Sequence, residues 1–181
     1  MRAPFSSSRR PVAFLSALPP GHYWPLALWL SLQGAAAALA AALPAGQVRT
    51  LAGDLNDEAF VQKIDALAPE LDAFVNNAGV VKFSYLLDMS VADFRRVIDI
   101  DLTGAFIMAQ AVARRMRDQA QGGSIVHISS IGGITPSLGT NAYAAGKAGL
   151  AKLGELMALE WGPHGIRVNT VSPGFIDGGM S

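Results

Sequence analysis

The chain has 181 residues, enough for one domain of ordinary size or for most of a larger α/β domain, and too few for two. It is 51% hydrophobic and 15% charged, with 14 basic residues against 14 acidic ones, which excludes a disordered chain and an electrostatic nucleic-acid binder. Cysteine is absent, which excludes disulfides, thiol catalysis and thiolate-ligated zinc, and His22, His127 and His164 lack metal-ligand spacing.

Arg2, Arg9 and Arg10 are followed by no charged residue until Arg49, and six of the ten prolines precede residue 45. This stretch has three readings. Arg9-Arg10 before the apolar run Val12 to Leu18 loosely fits an export signal. Trp24 to Leu43 has the length of a membrane span, but Pro25, Ser31, Gln33 and a long alanine run weaken it. The third takes Ala35 to Leu43 as a helix of a soluble α/β domain and residues 1–34 as an atypical lead-in; the downstream pattern favours it.

From Gln47 onward short strands and helices alternate, which predicts a doubly wound parallel sheet with helices on both faces. Val48 to Leu51 reads as a strand, Asn56 to Leu67 as a helix, and Ala73 to Asn76 as a strand entering the turn Asn77-Ala78-Gly79. A long helix follows, announced by Ser90 and Asp93 as a capping box. Phe94, Ile98, Leu102, Ala105, Phe106, Ala109, Val112 and Met116 recur along one of its faces. Ile125 to Ile128 is the next strand, stopped by Ser129-Ser130-Ile131-Gly132-Gly133. Asn141 opens a second long helix that runs to Trp161 and is closed by Gly162-Pro163. Ile166 to Val171 is the last strand, broken by Pro173-Gly174. Met108, Met116, Met157, His127 and Trp161 are read as packing residues.

Ligands of open parallel sheets bind beyond the carboxyl ends of the strands. Those loops hold Gly53-Asp54-Leu55, Asn76-Asn77-Ala78-Gly79, Ser129-Ser130 and Ser172-Pro173-Gly174. In the second long helix Tyr143 and Lys147 are four residues apart, one turn above each other. A free phenol titrates near ~10, and a cation within about 4–6 Å favours its ionised form, which suits a general acid or base. For an isolated pair the commoner outcome is a packed tyrosine and a solvated lysine. Ser130 sits where its hydroxyl could hold a substrate oxygen beside the phenol, or could cap the turn, a role Ser129 could equally fill.

Together, Asn76-Asn77-Ala78-Gly79, the Ser130 position, Tyr143-Ala-Ala-Gly-Lys147 and Arg167-Val-Asn-Thr-Val-Ser-Pro173-Gly174 resemble the short-chain dehydrogenase/reductase family, in its order and at its spacing. The resemblance covers roughly residues 35–181. It implies a Rossmann-type sheet, incomplete at both ends, that binds NAD or NADP and exchanges a hydride with a secondary alcohol or ketone. It implies that Tyr143 donates or accepts the proton, that Lys147 lowers the pKa of the phenol and bonds the nicotinamide ribose, and that Ser130 positions the substrate oxygen. Asp54, with Leu55 beside it, would meet the adenine; Asn77, Ala78 and Gly79 would line the adenosine; and Pro173, Gly174 and Ile176 would face the nicotinamide. Asn76 would steady the central strands. A homodimer or homotetramer, a small-molecule alcohol or carbonyl substrate and a cytoplasmic location are expected, with neither nucleic acid nor membrane as partner.

The chain departs from the family pattern at several places. Asp101, near the apolar face of its helix, stands where the family usually has an asparagine that holds a water in the proton relay. An ionised carboxylate accepts hydrogen bonds without donating any, so the resemblance implies either a catalytic relay kept in altered form or a helix carboxylate reaching solvent or a lysine. Gly178 replaces a frequent threonine, and the family's substrate lid and last strand and helix are expected to be missing after Ser181. No Thr-Gly-x-x-x-Gly-x-Gly fingerprint, whose backbone N–H groups would hold a pyrophosphate, occurs before Gln47. The sheet would lose its centre unless residues 12–18 substitute. Residues 1–34 could also arise from a shifted reading frame; a nucleotide sequence with no glycine fingerprint in any forward frame would end that idea. The rival function is an inactive fragment serving as an oligomerisation or partner-binding module.

Overall fold

The structure, a computed structural model, describes residues 12–16, 48–67, 71–119 and 121–175. It divides into two compact units, one running to Gly53 and one starting at Asp54. In the first, β1 (Val12–Ser16) and β2 (Val48–Ala52) pair in parallel, with Val12 opposite Val48 and Ser16 opposite Ala52. The apolar run after Arg10 is thus a strand over its first five residues. The expected helix over Ala35 to Leu43, the export-signal cleavage region, the span over Trp24 to Leu43, Ile176 and Gly178 lie outside the described residues. Among the described residues no helix is long and apolar enough to cross a membrane.

The second unit opens with α1 (Glu58–Leu67), which starts two residues later than its apolar pattern suggests. Asn56 is held in a turn by Asp54 Oδ1, and Asp57 Oδ1 takes the N–H of Ala59 as the cap. Three parallel strands follow in the order β3 (Ala73–Asn76), β4 (Gly123–Ile128) and β5 (Ile166–Val171). In register, Phe74 pairs with Ile125 and Asn76 with His127, while Ile125 pairs with Val168 and His127 with Thr170. The period-2 alternation of strands shows in β5, where Ile166 and Val168 are buried and Arg167 and Asn169 exposed.

The buried face meets two helices, α3 (Ala105–Asp118) and α4 (Asn141–Trp161). Ala109, Val112, Ala113 and Met116 of α3 and Met157 of α4 cluster with Ile125, Ile166 and Val168. Each large apolar side chain so buried contributes roughly 1.5–3 kcal/mol. Gly165, at φ 72°, adopts the left-handed turn that ends the 3-10 segment after α4 and starts β5.

The long helix expected from Val91 to Met116 is interrupted. It comprises α2 (Val91–Ile98), a π-helical turn (Asp99–Gly104) and α3. Ser90 caps α2 by accepting from Asp93 N–H at 3.0 Å, and its hydroxyl donates to the Asp93 carboxylate at 2.9 Å. The wider turn shifts the phase of the buried stripe. Val97 before it and Asp101 within it are buried, rather than Phe94, Ile98 and Leu102, while downstream Ala105, Ala109, Val112 and Met116 are buried as their spacing predicts and Phe106 is exposed. Asp101 is thereby turned into the protein.

Candidate active site

The carboxyl end of β4, the first turns of α4, the loop after β3 and the π turn converge on Lys147. Its side chain is 3% exposed. Nζ donates to the Ile128 carbonyl at 3.0 Å and lies 5.7 Å from the centre of the Tyr143 ring. The helical spacing of four residues therefore does bring the phenol and the amine to one place. An ammonium has three N–H donors, and the bond to Ile128 uses one. Burial holds the Lys147 pKa below its ordinary value, against the pull of Asp101.

Ser130 is brought to the same place from the other side. Its hydroxyl accepts the N–H of Gly132 at 3.0 Å and so caps the short 3-10 turn (Ile131–Gly133) itself. The O–H remains a donor. A Cβ on Gly132 would lie 3.4 Å from Ser130 Oγ and 3.6 Å from Tyr143 Cε1, so this glycine separates the two hydroxyl-bearing side chains. Ser129 is engaged elsewhere. Buried, it donates to the Lys147 carbonyl at 2.7 Å and ties the end of β4 to α4. Gly133 leaves α4 room to approach, because a Cβ there would sit 2.8 Å from both the Lys147 carbonyl carbon and the Ala148 nitrogen. The double glycine after Ser130 was the available sequence signal for this contact.

On the β3 side, Asn77, Ala78 and Gly79 form the loop that leaves the strand, and the next residue, Val80, donates its N–H to Asp101 Oδ1 at 2.7 Å. Asp101 is fully buried and Oδ2 has no hydrogen-bond partner. Burial raises its pKa to about 6, against the opposing effects of Lys147 and the Val80 N–H. A Cβ on Gly79 would fall 2.9 Å from Lys147 Nζ and 3.6 Å from Asp101 Oδ1.

Asn76 behaves as a structural residue: its Nδ2 donates to the Ala105 carbonyl at 2.8 Å and meets His127 Nδ1 at 3.2 Å. His127 is fully buried, with its pKa pushed down to about 4 by burial and then by Lys147. Neutral, it packs with Nε2 3.3 Å from Met157 Sδ, in keeping with the packing role read from the sequence.

The remaining candidates are more loosely joined. Pro173 accepts the N–H of Ile131 at 2.9 Å, which links the loop after β5 to the Ser130 turn. Gly174 has nothing within 4 Å of where a Cβ would begin. Leu55 is buried against the π turn, where a Cβ on Gly104 would approach its own Cβ to 3.1 Å. Asp54 is held locally, Oδ1 accepting from the backbone and side-chain N–H groups of Asn56 at 2.9 and 3.3 Å.

The profile of the family described as short chain dehydrogenase matches residues 27–181. The chain is 41% identical over 121 residues to 2-dehydro-3-deoxy-D-gluconate 5-dehydrogenase of Formosa agariphila, covering 65% of this chain and 44% of that protein. It is 37% identical over 135 residues to L-rhamnose 1-dehydrogenase (NAD(P)(+)) of Azotobacter vinelandii, covering 72% and 53%. Among solved structures, acetoin dehydrogenase of Salmonella typhimurium superposes with a TM-score of 0.69 at 37% identity, covering 74% of this chain and 55% of that one. The chain thus spans about half the length of these relatives.

Proposed function

This chain belongs to the short-chain dehydrogenase family, and on that premise we propose that it moves a hydride between NAD or NADP and the carbon of a secondary alcohol or ketone. The observation that carries this reading is the meeting of three groups from two separate chain segments: Tyr143, the buried amine of Lys147, and Ser130 across Gly132. The bound dinucleotide supplies or accepts the hydride. In the direction of reduction Ser130 O–H donates to the carbonyl oxygen and Tyr143 gives it a proton; in oxidation Tyr143 takes the proton of the alcohol. The Lys147 cation offsets the charge left on the phenol oxygen, and its spare N–H donors would hold the ribose of a bound dinucleotide.

The residues at hand fit the nicotinamide end of a dinucleotide. Lys147 has donors to spare, and the space at Gly174 is open. Asn77, Ala78 and Gly79 would line the adenosine, and Asp54 and Leu55 the adenine. Pro173, Gly174 and Ile176 would face the nicotinamide. Residues 17–47, where a pyrophosphate-binding turn after the first strand would fall, lie outside the described residues. The relatives' names, dehydrogenases of 2-dehydro-3-deoxy-D-gluconate, L-rhamnose and acetoin, support the reaction class. Apolar side chains left exposed on the helices, Phe94, Leu156 and Leu159, support a homo-oligomer, and a cytoplasmic enzyme is part of the same proposal.

Titration of the purified chain with NADH and NADPH, following nicotinamide fluorescence, tests it. Saturation with either is expected. Absence of saturation with both would contradict the reading and favour an inactive partner-binding module.

A further inference from the structure

Within the second unit, the loop leaving β3 and helix α4 meet across a buried pair of opposite charges. Asp101 is fully buried and Lys147 nearly so. The Cβ that Gly79 lacks would touch both, at 2.9 Å from Nζ and 3.6 Å from Oδ1, so the two charged groups are separated by no more than those lengths laid end to end. Gly146 admits the aspartate from the other side: its Cβ would lie 3.2 Å from that of Asp101. Oδ1 is engaged by Val80 N–H, whereas Oδ2 is buried without a hydrogen-bond partner. A lone ammonium placed here would be strongly disfavoured by desolvation and would tend to lose its proton.

We propose that Asp101 is a positioning residue that acts through Lys147. Its carboxylate is the counter-charge that keeps the buried amine in its ammonium form, and its bond to Val80 ties the Asn77–Gly79 loop to the same carboxyl group. This rests on the reading of Lys147 as part of the proton-transfer machinery. It assigns to the carboxylate a role that a carboxamide cannot fill. The opposing shifts of the two groups are consistent with it, since each is drawn toward its charged form by the other and away from it by burial. The other groups around the pair are Tyr143 on α4 and His127 on β4, the latter held neutral. Arg95 on α2 and Asp99 on the π turn are exposed to water, where their influence is screened.

Asp101→Asn separates the charge from the hydrogen bond, because a carboxamide oxygen still accepts from Val80 N–H but carries no charge. The titration of Lys147, followed through its Cε resonance in the dinucleotide-free chain, is expected to shift downward by about one pH unit or more in the variant. The Val80 amide resonance is expected to keep its hydrogen-bonded position. An unchanged Lys147 midpoint would overturn the proposal. Should the variant fail to fold, the wild-type chain still decides: the Asp101 carboxyl carbon must move at the Lys147 midpoint, and a carboxyl resonance indifferent to that titration would also overturn it. Neither measurement needs a dinucleotide, so a failure of NADH binding would sink the proposed function without producing either result.

Discussion

Tyr143→Phe is expected to lower turnover by about 10²–10⁴-fold, the usual worth of a positioned general acid or base, while changing dinucleotide affinity by no more than about twofold. The substitution removes one oxygen and keeps the ring. Lys147 is held by the Ile128 carbonyl and Ser130 by the Gly132 N–H, so neither depends on the phenol for its position. The loss should therefore appear in kcat with little change in KM, the signature of an interaction made only in the transition state. Undiminished turnover would remove Tyr143 from the mechanism. A parallel loss of dinucleotide binding would instead assign the hydroxyl a binding role.

The second large effect is on stability as a function of pH. The Asp101 pKa rises from 3.8 to about 6 on folding, so its contribution favours the folded state below pH 3.8 and is lost as pH rises toward 6. The His127 pKa falls from 6.5 to about 4, so its contribution is present above pH 6.5 and is lost as pH falls toward 4. The two slopes are opposite in sign and share nearly the same window. Each amounts to roughly 3 kcal/mol, at ~1.4 kcal/mol per pH unit of displacement. In the wild-type chain they oppose each other. Asp101→Asn should unmask the histidine, so the variant loses about 3 kcal/mol more than the wild type between pH 6.5 and 4. Urea denaturation at stepped pH measures this, and curves that stay parallel throughout would contradict it. Lys147, whose pKa is lowered, acts at the alkaline end, where stability is lost as pH falls from its unfolded value of 10.5.

Much of the second unit could be read directly from residue patterns. The strands Ala73–Asn76 and Ile166–Val171 and the helix Asn141–Trp161 begin and end where apolar runs meet aspartate, asparagine, serine or glycine, which punctuate the backbone. The Tyr143 and Lys147 pair was legible for a related reason: a spacing of four in a helix fixes a shared face without reference to the rest of the fold. β4 starts at Gly123, two residues ahead of its apolar run, because ladder pairing with Ile166 requires only backbone. The π turn was hidden since its one-residue phase shift leaves an apolar residue at nearly every position a continuous helix would need. Asp101 could be placed near the apolar face of its helix from the spacing alone, but whether its carboxylate meets water or Lys147 depends on that turn. Val80 N–H and the Ile128 carbonyl were illegible in another sense, as backbone groups that any residue type carries.

Hydride transfer can be followed directly by isotope labelling. The chain, NADH deuterated at the transferring carbon and a panel of ketones that includes acetoin are incubated together, and the alcohol products are analysed by mass spectrometry. Deuterium is expected on the new carbinol carbon with the wild-type chain, and a loss of that label with Tyr143→Phe. Saturable NADH binding with no deuterium in any product, or equal label with and without the phenol, would contradict the proposed function.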